Sequence, residues 1–300
     1  MPEPNTRTAI DLENHFRNRS KMPEMSEVTD HLRNVPGQKL IGVTDFEGDG
    51  RYTSFVHQKE GPEREQYGNA CYLPEEGTLF VHTEEGNIDL GHFLVVGHPE
   101  DISIFQEKKS STPPKIEEII KVANDHEAIK IMGDTRDTRK MWDCIGNRPD
   151  IWEQLDGIKI TGSHLHQQYW DVAHRHGVER KTPKQIFTSD GHSVKEILTT
   201  RMYAEIPDFD LLREEDPSQA VLDWTKQAVT QLTSDDKVSS SNYVANIAHI
   251  LMVLWDQGGG PIPSLRGLIP GCNKGDPFHP DYQPGNLEAF SRWFISPLHW

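Results

Sequence analysis

The feature that most constrains this chain is the rhythm of its first two thirds, where short apolar runs alternate with amphipathic stretches. Seven runs have the length and bounded character of buried strands: 8–12, 39–44, 79–82, 92–96, 128–132, 157–161 and 185–188. Between them, residues 24–35 open a helix after Pro23, and 115–124 open another after Pro113-Pro114. A third helix is predicted over 167–176, ending at Gly177, a natural residue to follow a helix. Strands separated by helices predict βαβ units and a parallel sheet. Seven of them within about 190 residues predict a barrel in preference to an open doubly wound sheet. No Gly-rich dinucleotide fingerprint follows any strand.

The character changes after residue 216. Residues 216–233 and 242–255 read as helices joined by a polar linker, and a tail rich in Gly, Pro and aromatics runs to Trp300. The chain thus divides into a barrel domain over 1–215 and a mainly helical, Gly/Pro/aromatic-rich extension over 216–300. Gly258-Gly-Gly260 is no phosphate loop, because no Gly-Lys-Ser/Thr follows it.

Composition narrows the partners. With 31 Lys and Arg against 47 Asp and Glu, the net charge is −16, and such a surface repels phosphate backbones. Long nucleic acid is therefore disfavoured as a substrate. Cys71, Cys144 and Cys272 are widely spaced with no CxxC pair, so neither a disulfide framework nor a zinc ribbon is suggested. The N-terminus has no apolar signal region, and the longest apolar run, 247–255, is too short to span a bilayer. A cytoplasmic protein without membrane association is the expectation.

In a βα barrel, chemistry sits at the C-terminal ends of the strands. Glu13 and His15, two apart, project to the same side of an extended segment as the first strand ends. Asp45 and Phe46 end the second, and His82, Glu84, Glu85 and His92 lie around the third and fourth. Asp190 and His192 again share a face after the last. Carboxylates and imidazoles recurring at strand ends suit a divalent metal. Each also has a plainer reading, since 15 histidines scatter along the chain and Glu84-Glu85 resembles a solvated turn.

Ser189-Asp-Gly-His-Ser193, followed by Val-Lys-Glu-Ile, resembles the last motif of the PHP (polymerase and histidinol phosphatase) family. Ile10 to Glu27 is similar to the family's opening Asp-Leu-His-x-His segment and helix start. Leu40 to Phe46 is similar to its second strand, Gly91-His-Phe-Leu-Val-Val-Gly97 to its Gly-His-Leu-Leu stretch, and Asp208 to Arg213 to its closing helix. The similarity runs in family order over residues 8–215. It implies a distorted (β/α)7 barrel, here with the extra helical C-terminal segment, and a metal cluster that hydrolyses phosphate esters. On this resemblance Glu13, His15, Asp45, His92, Asp190 and His192 are the metal-ligand positions, with Asp45 and Asp190 the catalytic carboxylates. The implied cofactors are divalent ions (Mn, Zn or Fe), two or fewer rather than three. The implied substrate is a small phosphorylated molecule.

The departures matter as much. Glu13 stands where the family has its first histidine, and Phe46 replaces the histidine after Asp45. His82 falls near the usual glutamate, unless Glu84 or Glu85 supplies it. Ile131-Met-Gly-Asp134 replaces an Ala-His-Pro motif, with Asp134 a substitute. His164 and His166 form an HxH pair that either replaces missing ligands or lies on a loop. Arg17 and Arg19 are either a phosphate clamp or surface arginines, and His174 and His176 suit a helix end. The alternative is a barrel that has lost catalysis and serves as a scaffold or binding module. Its aromatic C-terminus, Phe290 to Trp300, would then contact a protein partner or a second copy.

Overall fold

The computed structural model describes residues 7–16, 22–105, 113–133, 143–160, 175–177, 184–213, 216–231 and 238–239. Arg17, Arg19, Asp134, His164, His166, His174, the expected helix at 242–255 and the aromatic C-terminus lie outside these residues.

All seven expected strands form. They are β1 (Arg7–Asp11), β2 (Lys39–Phe46), β5 (Thr78–Ile88), β6 (Gly91–Val96), β7 (Ile129–Met132), β8 (Gly157–Ile160) and β9 (Lys184–Phe187). Four further strands are β3 (Glu65–Gln66), β4 (Ala70–Leu73), β10 (Thr200–Glu205) and β11 (Val238–Ser239). The sheet runs β11-β10-β1-β2-β5-β6-β7-β8-β9, with β3 and β4 added as a hairpin on β5. Its path curls into a nearly closed barrel of eight strands, an α/β architecture of the expected kind.

The expectation of a parallel sheet holds for most of the barrel and is corrected at β6. β1, β2 and β5 are parallel neighbours, as are β7, β8 and β9, but β6 is antiparallel to both β5 and β7. Asp89 and Leu90 alone separate β5 from β6, and a parallel return needs a dozen or more residues. β6 therefore starts at the end of the barrel where the parallel strands finish, which brings His92 to the same rim as their C-terminal ends. β10 is antiparallel to β1, and a parallel bridge between Asn14 and Gly191 draws the chain beyond β9 against the chain beyond β1.

The helices cover the outside. In α1 (Met25–Leu32), Met25, Val28 and Leu32 are buried, and the Met25 N–H donates to Gln58 Oε1 at 2.8 Å, satisfying one of the bare donors of its first turn. With Phe55 and Val56 of α2 (Arg51–Val56), that face covers Ala9, Ile41, Val43 and Phe80. Phe16, Phe55 and Phe80 meet edge to face, with ring centroids 4.6–6.5 Å apart. α3 (Ile116–Asp125) buries Ile116, Ile119, Ile120 and Ala123 at helical spacing. Trp152 of α4 (Pro149–Trp152) joins the same core, and so do Ala220, Val221, Trp224, Ala228 and Val229 of α5 (Pro217–Gln231). Among the described residues, no helix is long and apolar enough to cross a membrane.

Candidate metal centre

The chain leaving β1 is laid across β2 at Gly42. A Cβ there would stand 2.1 Å from the Leu12 carbonyl oxygen, so only glycine permits this approach. Asn14 then ties the segment down. Its Nδ2 donates to the Asp11 and Gly42 carbonyls at 3.4 and 3.3 Å, its N–H to Thr44 Oγ1 at 3.1 Å, and its carbonyl accepts from Thr44 N at 2.8 Å. On the other side, Asp11 accepts Ser189 N, Ser189 Oγ and Leu198 N at 3.0, 2.5 and 2.9 Å. The His15 N–H donates to Gly191 O at 2.7 Å. These bonds hold Glu13 and His15 face to face with Asp190 and His192. Asp190 sits at φ 50°, in the left-handed region that an aspartate tolerates better than most residues.

His15 is the hub. Its Nε2 lies 3.2 Å from Glu85 Oε2, 3.4 Å from Asp190 Oδ1 and 3.6 Å from Glu13 Oε1. Its ring stacks on His192, with centroids 4.9 Å apart. Two overlapping sets, His15/Asp190/His192 and Glu13/His15/Glu85, each bring their donor atoms within 4.8 Å of one another. Glu85 also meets His92 Nδ1 at 2.9 Å. His192 Nδ1 lies 2.8 Å from the Asp190 carbonyl; donating its proton there makes Nε2 the lone-pair nitrogen, as in histidines that bind metals. Lys159 enters from β8, its Nζ 2.6 Å from Glu13 Oε1 and 3.5 Å from Asp190 Oδ2, with its side chain 2% exposed. Thr188 Oγ1 donates to the second Glu13 oxygen at 3.0 Å.

Burial and charge act against each other here. Burial opposes charge on His15, yet contacts with Asp190, Glu13 and Glu85 outweigh it and raise its pKa well above the ordinary imidazole range. Burial pushes Glu85 and Asp190 up, but His15 and His92 hold the first well below the usual carboxylate range, and Lys159, His15 and His192 do so for the second. For Glu13 burial prevails, and the Lys159 ammonium is the strongest influence opposing it.

Of the residues expected to form the site, Glu13, His15, Asp190 and His192 converge, and His92 joins through Glu85. Asp45 makes different contacts. Alternation along β2 puts Phe46 in register with Glu85 and Asp45 in register with Glu84, on the opposite face. Asp45 accepts from Tyr52 N at 2.6 Å and lies 3.4 Å from His82 Nε2. His82 packs on His98 at 4.2 Å, and His98 Nε2 lies 3.3 Å from Glu84 Oε2. The turn expected at Glu84-Glu85 is corrected, since both are buried within β5. Glu84 is satisfied by Ser103 Oγ and Ile104 N, and Glu85 by the two histidines. Phe46 lines the rim, its ring 6.4 Å from that of His92. Sequence reasoning missed Lys159 and left Glu85 undecided; the pairing that sets Glu85 opposite Phe46 is visible only in the β2–β5 register.

The donors suit a metal. Imidazole and carboxylate in a partly buried cluster are the ligand types of Zn, Mn and Fe, and a His192 ring fixed by a carbonyl is oriented for coordination. His31 and His57 take part in other contacts, with Ile197 O and with Glu100.

No protein-family profile matches the chain, and no curated protein matches it. Among solved structures it is similar to the lesion-specific endonuclease PfuEndoQ from Pyrococcus furiosus, at 15% identity and a TM-score of 0.45, covering 70% of this chain and 56% of that one. The chain therefore spans little more than half the length of that endonuclease. It is also similar to PsfC from Pseudomonas syringae, at 13% identity and a TM-score of 0.48, covering 67% of this chain and 83% of that one. A two-domain protein from Bacteroides vulgatus, described as containing a predicted PHP-like metal-dependent phosphoesterase, matches at 12% identity and a TM-score of 0.40, covering 80% and 68%. Likeness at this level assigns no residue and no activity to this chain.

Proposed function

We propose that this chain is a metal-dependent hydrolase, a divergent PHP-like phosphoesterase acting on a small phosphorylated substrate. The observation that carries this reading is the pair of donor triads sharing His15, His15/Asp190/His192 and Glu13/His15/Glu85, at the rim where the parallel strands end. A divalent ion held there would supply Lewis acidity, a water of lowered pKa and positive charge toward a phosphoryl group. The remaining work falls to the chain's own residues. His15 and Asp190 hold donors on one side of the cluster, and Glu85 holds both His15 and His92 in position. Phe46 sets an apolar ring beside His92 on that flank of the rim. Arg51 donates to the His15 carbonyl at 3.1 Å and steadies the segment that carries the hub. A small substrate is favoured over long nucleic acid because the net charge of −16 repels an extended phosphate backbone.

A second reading has one observation in its favour. The buried Lys159 ammonium already neutralises part of the carboxylate cluster, as a purely structural ion-pair network would. Metal content separates the two readings. Protein purified without chelator and saturated with Mn²⁺ or Zn²⁺ is expected to retain metal stoichiometrically, and Asp190→Ala with His192→Ala to lose it. Hydrolysis of a generic phosphomonoester and phosphodiester with added Mn²⁺ is expected to disappear in the same variant. Wild-type protein that holds no ion would leave the scaffold reading standing.

A further inference from the structure

The charges of the cluster are arranged in two halves. On one side, His15 Nε2 faces Glu85 Oε2 at 3.2 Å and Asp190 Oδ1 at 3.4 Å, with His192 stacked behind and Glu13 Oε1 farther off at 3.6 Å. On the other, Lys159 Nζ lies between Glu13 Oε1 and Asp190 Oδ2. Asp190 thus divides its two oxygens, one toward the imidazole side and one toward an ammonium. A carboxylate bridging two cations in a binuclear centre does the same. Glu13 is fully buried and Lys159 nearly so, so neither charge is solvated and each depends on fixed partners within the fold. Among the described residues, Glu13, Glu85 and Asp190 bring three negative charges, and the ammonium removes one. A single divalent ion would balance the rest.

Building on the metal-dependent reading above, we propose that Lys159 is a built-in cation that takes the place of a second metal ion between Glu13 and Asp190, so that the centre holds one ion. Glu13 is then the partner of Lys159 and not a metal ligand, although its position in the motif order is that of a ligand. The ion belongs on the His15 side, with Glu85, Asp190 and His192. A second ion at Glu13 would share a carboxylate whose Oε1 already holds the Lys159 ammonium at 2.6 Å, and like charge repels it. The lysine is held in place from β8, where alternation sends Ile158 and Lys159 to opposite faces.

The test is the number of ions bound by the full-length chain, by mass spectrometry of metals after stripping, equilibration with excess Mn²⁺ or Zn²⁺ and gel filtration. Wild type is expected to hold one ion. Two ions in wild type overturn the proposal and leave the metal-dependent reading intact, whereas none overturns both. Lys159→Met, which keeps the side-chain length and removes the charge, is expected to rise from one ion to two and to gain more thermal stability from Mn²⁺ than wild type does. A variant that folds and stays at one ion overturns the proposal. Should Lys159→Met fail to fold, Glu13→Gln with Lys159→Met removes both charges and is expected to hold one ion. Failure of that pair to hold any ion would show that Glu13 is a ligand and overturn the proposal.

Discussion

Replacing Gly42 with alanine puts the path of β1 to a quantitative test. The added Cβ would lie 2.1 Å from Leu12 O, 2.5 Å from Leu12 C and 2.7 Å from Thr83 Oγ1. Two of the three are backbone atoms, so a rotamer change does not relieve the clash. To reach the 3.4 Å at which ordinary contact begins, the Leu12 carbonyl must retreat by about 1.3 Å. That movement strains the Asn14 bonds to Gly42 and Thr44. Overpacking costs about 1–3 kcal/mol, and each of the three hydrogen bonds lost about 1 kcal/mol, which together give roughly 4–6 kcal/mol. For a domain of this size, that is a fall in Tm on the order of 10 °C. Glu13 and His15 follow Leu12 directly, so metal affinity should fall as well, by about 10–100-fold, as when the supports of metal ligands are removed. Thermal unfolding and calorimetric titration with Mn²⁺ measure the two effects. Gly50→Ala is the control, since Gly50 at φ 72° has open space around its Cβ position and should lose only about 1–2 kcal/mol to backbone strain. A Gly42→Ala protein as stable as that control, with unchanged metal affinity, would refute the reasoning.

Two other predictions follow from burial. Desolvation raises Asp11 from an ordinary 3.8 to about 6 despite its bonds to Ser189 and Leu198, so its folded pKa lies above its unfolded one. The stability it contributes is complete below about pH 4 and lost as pH rises through about 6, on the order of 3 kcal/mol. Denaturation of wild type and Asp11→Asn should show the difference in stability, wild type minus variant, shrinking over that range; a difference that grows with pH would mean that the hydrogen bonds outweigh burial. The Cys71 thiol is pushed up to about 12, chiefly by burial, whereas Cys144 is exposed. Iodoacetamide at about pH 8 should label Cys144 in the native protein and reach Cys71 only after denaturation, as peptide mass mapping would show.

Much of this architecture was legible in the sequence because buried strands leave compact apolar runs, and every expected run became a strand. What escaped notice was polar. β5 continues past His82 through Thr83-Glu84-Glu85-Gly86, which looks like a turn until partners distant in sequence satisfy each carboxylate. β10 carries only Met202 and Ala204 as buried residues, too weak an alternation to stand out. Lys159, between two isoleucines, has the look of a solvent-facing residue on a strand, because what holds it inside is Glu13, far away in the chain. Phe46 departs from the motif that the chain resembles, and its place is opposite Glu85 and beside His92. Asp45 illustrates the limit of motif order: one residue along a strand is a change of face, and it turns this carboxylate toward His82 and Tyr52.

Anomalous diffraction from crystals equilibrated with Mn²⁺ or Zn²⁺ tests the metal centre most directly. One peak is expected, bounded by His15 Nε2, Glu85, Asp190 and His192, with Lys159 Nζ across Asp190 from it. No peak, or a peak between Asp45 and His82, would contradict it.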